Sequence, residues 1–432
     1  MRRNGFGAWY NSGNHWAAEI GRTAMSAAED FRERSDRQGV TRGADPAPPR
    51  ILVLSIVNPE VERNGAASVT RGLLKSLTCP PLRASVECIP VRQRPRRWHG
   101  VAQFASLLRS ACSGLPSKAV FLRSREFRRK VQERMRMGEF DLVILNGSDL
   151  LWIQEYLPGS VPRLLIGLNI EHLLFHSQIE SLSAIYRPLR GWLRRDARRL
   201  RDYELGGMRS IGNVVFLSRT DAEFSRPHCP DARFTTIPPL FEYKPNFTRK
   251  PGTNPELRIV YMGNFRWWPN RQGLQWFATQ VLPHVTSPIR LNLFGTGSDR
   301  AWPADARVSG HGVVEDINRI WEECDLLICP AFAESGVCVK LAEAVYNRVP
   351  VLANRHAARG LPLDSDPAIV FADQAEEWVG FLNSAAAREL AGRRVSEANA
   401  SRFAFDSHSA ILQDLVRTSI QPENPRKEPK AG

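Results

Sequence analysis

The chain is poor in the features that usually settle a class at once. It has no run of about 18 or more apolar residues, so a membrane-spanning helix is not expected. Its start, Met1-Arg2-Arg3, leads into no apolar stretch, because residues 9–20 are interrupted by Asn and Glu; a secretory leader is not expected either. Cysteine is sparse, at positions 79, 88, 112, 229, 324, 329 and 338, with no C-x-x-C pair. That pattern argues against a zinc site or a disulfide framework, and for a reducing, cytoplasmic setting with most thiols as small buried hydrophobes. No Gly-x-Gly-x-x-Gly follows the first apolar run, which disfavours a dinucleotide cofactor there. No Asp-x-Asp metal motif stands out, and no bound metal or other cofactor is expected. Signatures of RNA-recognition, zinc-finger and helix-turn-helix modules are missing too, and arginines are seldom interleaved with aromatics.

What is present is a long, basic, globular chain. At 432 residues it exceeds one ordinary core, and two domains are expected. Apolar residues make up 43% and charged residues 24%, the balance of a soluble fold. The formal net charge of +14 comes from 59 Lys and Arg against 45 Asp and Glu, and is concentrated at residues 92–97, 123–136 and 187–201. Such an excess suits nucleic acid, an anionic membrane surface or a charged small substrate, or is simply a solvated basic face.

The order of elements narrows this. Residues 1–48 are polar and end in Pro-rich sequence, which predicts a disordered extension with a short helix near 24–34. Strand-length apolar runs follow at 50–56, 86–91, 142–145, 164–167 and 214–217, with helical stretches at 65–77, 127–137 and 182–206. A Pro-rich break at 237–255 separates a second alternation. There, strands are predicted at 258–262, 290–294, 326–329, 349–353 and 368–371, and helices at 269–285, 314–324 and 339–347. Two further helical segments, 375–391 and 407–418, close the chain. Strands alternating with helices mean parallel sheets. The fold class expected is therefore α/β: two Rossmann-like, doubly wound domains facing a central cleft. The bounds are 49–240 for the first domain, 241–256 for a hinge, 257–405 for the second, 406–420 for a helix crossing back to the first, and 421–432 for a disordered tail.

The segment from Glu334 through Ser335, Gly336, Val337 and Cys338 to Lys340 and Glu343 carries the most chemistry. It reads as a glycine-bearing loop opening a helix, whose unpaired N–H groups and positive dipole end suit phosphate. A Glu one turn further in suits a ribose diol, so diphosphate plus pentose points to a nucleotide-sugar. Gly263 and Gly295 end two predicted strands at the edge where open α/β sheets bind ligands, and Arg266 suits bidentate phosphate contact. Gly65, in the first strand-to-helix turn, suits close backbone approach to a ligand.

These strings resemble the GT-B glycosyltransferases of family 4. In the second domain the likeness lies in Gly263 with Trp268-Pro269-Asn270, Gly273, Trp276-Phe277 and Leu282-Pro283, and in Gly336 with Lys340 to Ala344 and Val349-Pro350-Val351. In the first domain it lies in Asn169-Ile170-Glu171-His172, Tyr203-Glu204 and residues 216–221. The resemblance implies a nucleotide-sugar donor on the second domain, an acceptor on the first, and transfer with retained anomeric configuration. Carried over, Glu343 would hold the ribose, Ser335, Gly336, Val337 and Cys338 the donor sugar and phosphate, and Gly263, Gly295, Arg266 and Lys340 the diphosphate. Gly65, Asn169 and Glu171 would face the acceptor.

The family's sugar-reading Glu, eight residues ahead of the ribose Glu, is Ser335 here, and Glu334 stands nine ahead; the family's His before Asn-Ile-Glu is Leu168. Glu334 and His172 are therefore the catalytic candidates. The function expected is a metal-independent hexosyltransferase using UDP- or GDP-sugar, with a glycan or lipid-linked acceptor in cell-surface polysaccharide synthesis. The Arg-rich stretch 187–201 would add peripheral contact with an anionic membrane at the inner face, without nucleic acid as a partner. The alternatives are a nucleotide-sugar epimerase of similar two-domain fold, a basic nucleic-acid-binding protein, and a non-catalytic homologue.

Overall fold

The computed structural model describes residues 47–91, 99–182, 187–249, 255–300 and 305–421. The expected extension up to residue 46, its helix near 24–34, the basic cluster 92–97 and the tail beyond 421 lie outside them.

The buried apolar runs become strands of two parallel six-stranded sheets. The first contains β1 (Arg50–Ser55), β2 (Ser85–Pro90), β3 (Leu142–Asn146), β4 (Arg163–Gly167), β5 (Asn213–Phe216) and β6 (Arg233–Thr236), in the order β2-β1-β3-β4-β5-β6. The inner residues of its central strands are apolar because both faces are covered. Leu52, Leu54, Val143 and Leu145 enter one core, while their neighbours Ile51, Val53, Leu142 and Ile144 enter the other. The second sheet contains β7 (Leu257–Met262), β8 (Ile289–Phe294), β9 (Val308–Gly310), β10 (Leu326–Cys329), β11 (Val351–Ala353) and β12 (Ile369–Phe371), in the order β12-β11-β10-β7-β8-β9. Winding reverses between β1 and β3 in one sheet and between β7 and β10 in the other. At such points the loops leaving the carboxyl ends diverge and leave a crevice.

Two segments join the sheets. Residues 237–256 lead from β6 to β7, and helix Phe405–Ile420 returns to the first sheet. There Leu412, Leu415 and Val416 complete the core under β1 and β3. Gln413 Nε2 donates to Ser76 O at 2.7 Å and Cys79 O at 3.1 Å, fixing this helix against helix Gly65–Thr78. Phe241 pairs with Ala404, so the two crossings touch.

Several elements differ from the sequence reading. The helix expected over 269–285 is helical at Trp268–Trp276, widens to a π turn at Phe277–Val281 and tightens to a 3-10 turn at Leu282–His284. Pro283, with no N–H to donate, sits in that last turn. The helix expected over 182–206 runs from Arg187 to Ile211. Edge strands β6 and β9 were not expected, because their sequences, RFTT and VSG, are half-exposed and carry no apolar run.

Candidate functional site

Both switch points open onto one cleft of about 1850 Å³ between the sheets. Its second-domain wall comes from the ends of β7, β8 and β10 and from helix Val339–Tyr346, and its first-domain wall from the loops after β1, β3 and β4.

Glu343 lies on the inner side of helix Val339–Tyr346, 5% exposed, and lines the cleft. Tyr243 Oη donates to its Oε1 at 3.2 Å, and Asn347 Nδ2 donates to Tyr243 Oη at 2.6 Å. Burial pushes the carboxyl up to about 7, against the Tyr243 hydrogen bond and the Arg71 charge. One turn earlier, Lys340 Nζ donates to Asn270 Oδ1 at 2.6 Å and sits 4.1 Å from the centre of the Tyr261 ring. Burial alone would weaken this ammonium, yet Tyr261, Cys338 and Cys329 outweigh it and hold Lys340 above its ordinary value. Asn270 is itself fixed, its carbonyl accepting from Tyr261 Oη at 2.9 Å and its Nδ2 donating to Asn264 O at 3.0 Å.

The helix begins at the cleft without a side-chain cap. The N–H groups of Val337, Cys338 and Val339 have no protein acceptor among the described residues. They are the orphan amides of a helix start, available to an anion. Beside them Gly263 and Gly295 pack backbone against backbone. A Cβ on Gly295 would lie 2.2 Å from the Gly263 carbonyl oxygen, so only glycine lets these two strand ends meet.

The preceding two residues do something else. Gly336 N–H donates to Asp221 Oδ2 of the first domain at 2.8 Å, and Ser335 Oγ donates to the same oxygen at 3.1 Å while accepting the Ile170 N–H. Arg359 lies 3.6 Å from the other Asp221 oxygen. Gly336 has φ 84°, and a Cβ there would stand 2.1 Å from Asn169 Oδ1. This half of the loop is a clasp between domains, and its glycine is required by close approach of the first domain.

On the opposite wall, Asn169 Nδ2 donates to Glu171 Oε1 at 3.0 Å, and Lys118 donates to Glu171 Oε2. Burial works against the Glu171 charge, but Lys118, Asn169 and His172 together hold it below the usual carboxylate range. Asp149, 9% exposed, lines the cleft close by; its Oδ1 has no hydrogen-bond partner among the described residues. Burial pushes it up to about 7, and Glu171 and Glu204 add to this against Lys118.

Among the expected site residues, Gly65, Asn169, Glu171, Gly263, Gly295, Ser335, Gly336, Val337, Cys338, Lys340 and Glu343 line the cleft. Three do not. Glu334 points outward with 58% of its side chain exposed, 3.6 Å from Arg359, because the loop turns its neighbour Ser335 inward to Asp221. Arg266 is exposed on the turn after β7, where Asn264 and Trp267 face the cleft in its stead. His172 is buried behind the wall, its Nδ1 2.8 Å from Glu204 Oε2, which also accepts the His172 N–H at 2.8 Å. The sequence reading gave no role to Lys118, Asp149, Asp221, Tyr243 or Asn270. Asp221, Tyr243 and Asn270 stood inside noted strings, whereas nothing local marks Lys118 or Asp149. Among the described residues no group of three or more His, Cys, Asp or Glu is placed to hold a metal ion.

Comparison with known proteins bears on this arrangement. Residues 256–385 match the family described as glycosyl transferases group 1. No curated protein matches the chain. Among solved structures, sucrose-phosphate synthase from Thermosynechococcus elongatus is similar with a TM-score of 0.58 at 14% identity, over 86% of this chain and 98% of that one. HepE of Anabaena in complex with UDP-glucose is similar with a TM-score of 0.56 at 14% identity, over 85% of this chain and 99% of that one. The shared fold is GT-B.

Proposed function

We propose that this chain, a group 1 glycosyltransferase on a GT-B fold, moves a hexose-type unit from a UDP- or GDP-sugar to a glycan or glycolipid precursor of cell-surface polysaccharide. Anomeric configuration is retained, and no metal ion takes part. The reading rests on the second-domain wall, where one helix carries open amides at its start, a caged ammonium at Lys340 and a buried carboxylate at Glu343. Glu343 follows Lys340 by three positions, so they lie on adjoining turns of one face, about 4.5 Å apart along the axis. That spacing suits a diphosphate at the helix start with its ribose one step deeper.

The hard event is departure of the nucleoside diphosphate. Negative charge grows on its phosphate oxygens, and fixed donors that need no reorganisation stabilise it most. Lys340 is held in place by Asn270 and Tyr261, and the amides of 337–339 by the helix itself. Asp149, Glu171 and Lys118 line the first-domain wall, where the acceptor hydroxyl would approach, with Gly65 and Asn169 shaping that side. The UDP-glucose held by HepE makes uridine the first nucleotide to try. The protein would work at the inner face of an anionic membrane through helix Arg187–Ile211; among the described residues no helix is long and apolar enough to cross a membrane.

A thermal-shift panel of UDP, GDP, ADP and their sugars tests the donor reading, since a ligand that binds only the native state raises the melting point. One diphosphate family should shift the wild type and leave Glu343→Ala unmoved. If no nucleotide shifts either protein, the proposal fails.

A further inference from the structure

We infer that Cys338 and Cys329 form a dithiol that closes to a disulfide under a hydroperoxide, drawing the donor loop away from the cleft. The effect on donor binding rests on the function proposed above; the chemistry of the pair does not.

Cys329 is the last residue of β10 and is buried, whereas Cys338 stands at the start of helix Val339–Tyr346 and lines the cleft. Between them the chain leaves the sheet and comes back, bringing the two Sγ atoms 3.3 Å apart. The surroundings differ in the way an attacking and a resolving thiol must differ. Cys338 shares a hydrogen bond with Cys329 and faces the Lys340 ammonium and the N–H groups of Leu341 and Lys340, which together hold it below an ordinary thiol against burial. Burial pushes Cys329 the other way. The partly buried member that lines the cleft is thus the nucleophile, and the fully buried one waits behind it.

The steps balance. The Cys338 thiolate attacks one peroxide oxygen, the O–O bond breaks, and the departing oxygen takes a proton, leaving Cys338 as a sulfenic acid. The Cys329 sulfur then attacks the Cys338 sulfur, an S–S bond forms, and the sulfenyl oxygen leaves as water with the Cys329 proton. Two thiols lose two electrons, and the peroxide gains them.

Bond formation requires the sulfurs to close to about 2.05 Å, a further movement of roughly 1.3 Å. The strand side cannot supply it. Ala331, just beyond β10, is held in both directions by Asn354, through bonds of 3.1 Å and 2.7 Å. The movement therefore falls on Cys338 and the amides of 337–339. A displacement of that size at a preorganised anion site costs on the order of tenfold to a hundredfold in function.

The test uses the full chain, treated with hydrogen peroxide and then with dithiothreitol. Intact mass and peptide mapping should show loss of two hydrogens at a Cys329–Cys338 crosslink, reversed by the reductant. UDP or GDP affinity should fall about tenfold or more on oxidation and recover on reduction. Saturating nucleotide should slow the crosslinking. Cys329→Ala should keep its affinity after brief oxidation, and untreated wild type serves as a second control should that variant fold poorly. The inference is overturned if no such crosslink forms, or if it forms and affinity is unchanged. If the reduced protein binds no nucleotide at all, the donor reading fails, and the mass measurement still decides the crosslink.

Discussion

At the scale of single residues, Glu343 holds its place in the cleft at a cost to the fold. Its carboxyl is buried and pushed up to about 7, well above its ordinary value, so between the two the folded protein holds a proton that the unfolded chain has already released. A raised carboxyl subtracts stability as pH rises across that window, and the loss is complete above about 7, on the order of 3 kcal/mol. Glu343→Gln, which keeps an acceptor for Tyr243, should therefore match the wild type near pH 4.5 and melt higher than it at pH 8. Nucleotide affinity should run oppositely, rising through pH 7 in the wild type as the carboxylate becomes a full acceptor for ribose hydroxyls, and staying flat in the variant. Calorimetric titrations at pH 6 and pH 8 decide it; an affinity independent of pH in the wild type would remove the ribose role. Glu343 and Lys340 were legible in the sequence because both belong to one helix whose period fixes their common face. Glu334, Arg266 and His172 were misplaced because each sits on or beside a loop, where one turn of the backbone exchanges inside for outside. Lys118 and Asp149 were invisible for another reason: their meaning arises only when helix Ser117–Leu122 and the turn after β3 meet Glu171 from a third segment.

At the scale of elements, the central strands could be read directly, since a fully buried parallel strand has no polar face to disguise it. Edge strands β6 and β9, half wet and short, could not. Helix Arg187–Ile211 shows how far pattern alone goes. Its mixture of Arg and Leu suited either a membrane or a solvated face, and the structure divides the two sets. Asp196, Ala197, Leu200, Leu205 and Met208 face inward, whereas Arg194, Arg195, Arg198 and Arg201 form an exposed stripe with Leu189 near its start, 41% exposed. Arg195, Arg198 and Arg201 have no partner among the described residues. Unpaired cations beside a leucine suit an anionic bilayer surface, at about 1 kcal/mol per basic residue and weakening with salt. Vesicles containing phosphatidylglycerol should carry the protein upward in flotation at low salt and release it at high salt. Arg195→Glu combined with Arg198→Glu should remain at the bottom. Wild type that fails to float even at low salt would show that this stripe is merely solvated.

At the scale of the whole molecule, few polar contacts among the described residues close the cleft, and Asp221 makes most of them. From the first domain its carboxylate receives Gly336 N–H and Ser335 Oγ and faces Arg359, and beside it Arg219 N–H donates to Gly360 O at 3.2 Å. The carboxyl is 1% exposed and raised by burial, against the hydrogen bond from Gly336 and the Arg359 charge, so this clasp is made at a cost and is suited to being released. A closed cleft excludes water from a reactive sugar donor, while an open one lets donor in and product out. If the clasp sets that balance, Asp221→Ala should shift the chain toward the open form without unfolding either sheet. Small-angle scattering should then give a larger radius of gyration for the variant without ligand, with far-UV circular dichroism unchanged. Nucleotide affinity should fall in proportion to the lost closed fraction, because only that fraction presents both walls to the donor. Saturating donor should draw the variant back to the compact radius. An unchanged radius together with unchanged affinity would mean that the hinge crossings and helix Phe405–Ile420 fix the interdomain angle by themselves, and that Asp221 only fills a buried space between the sheets.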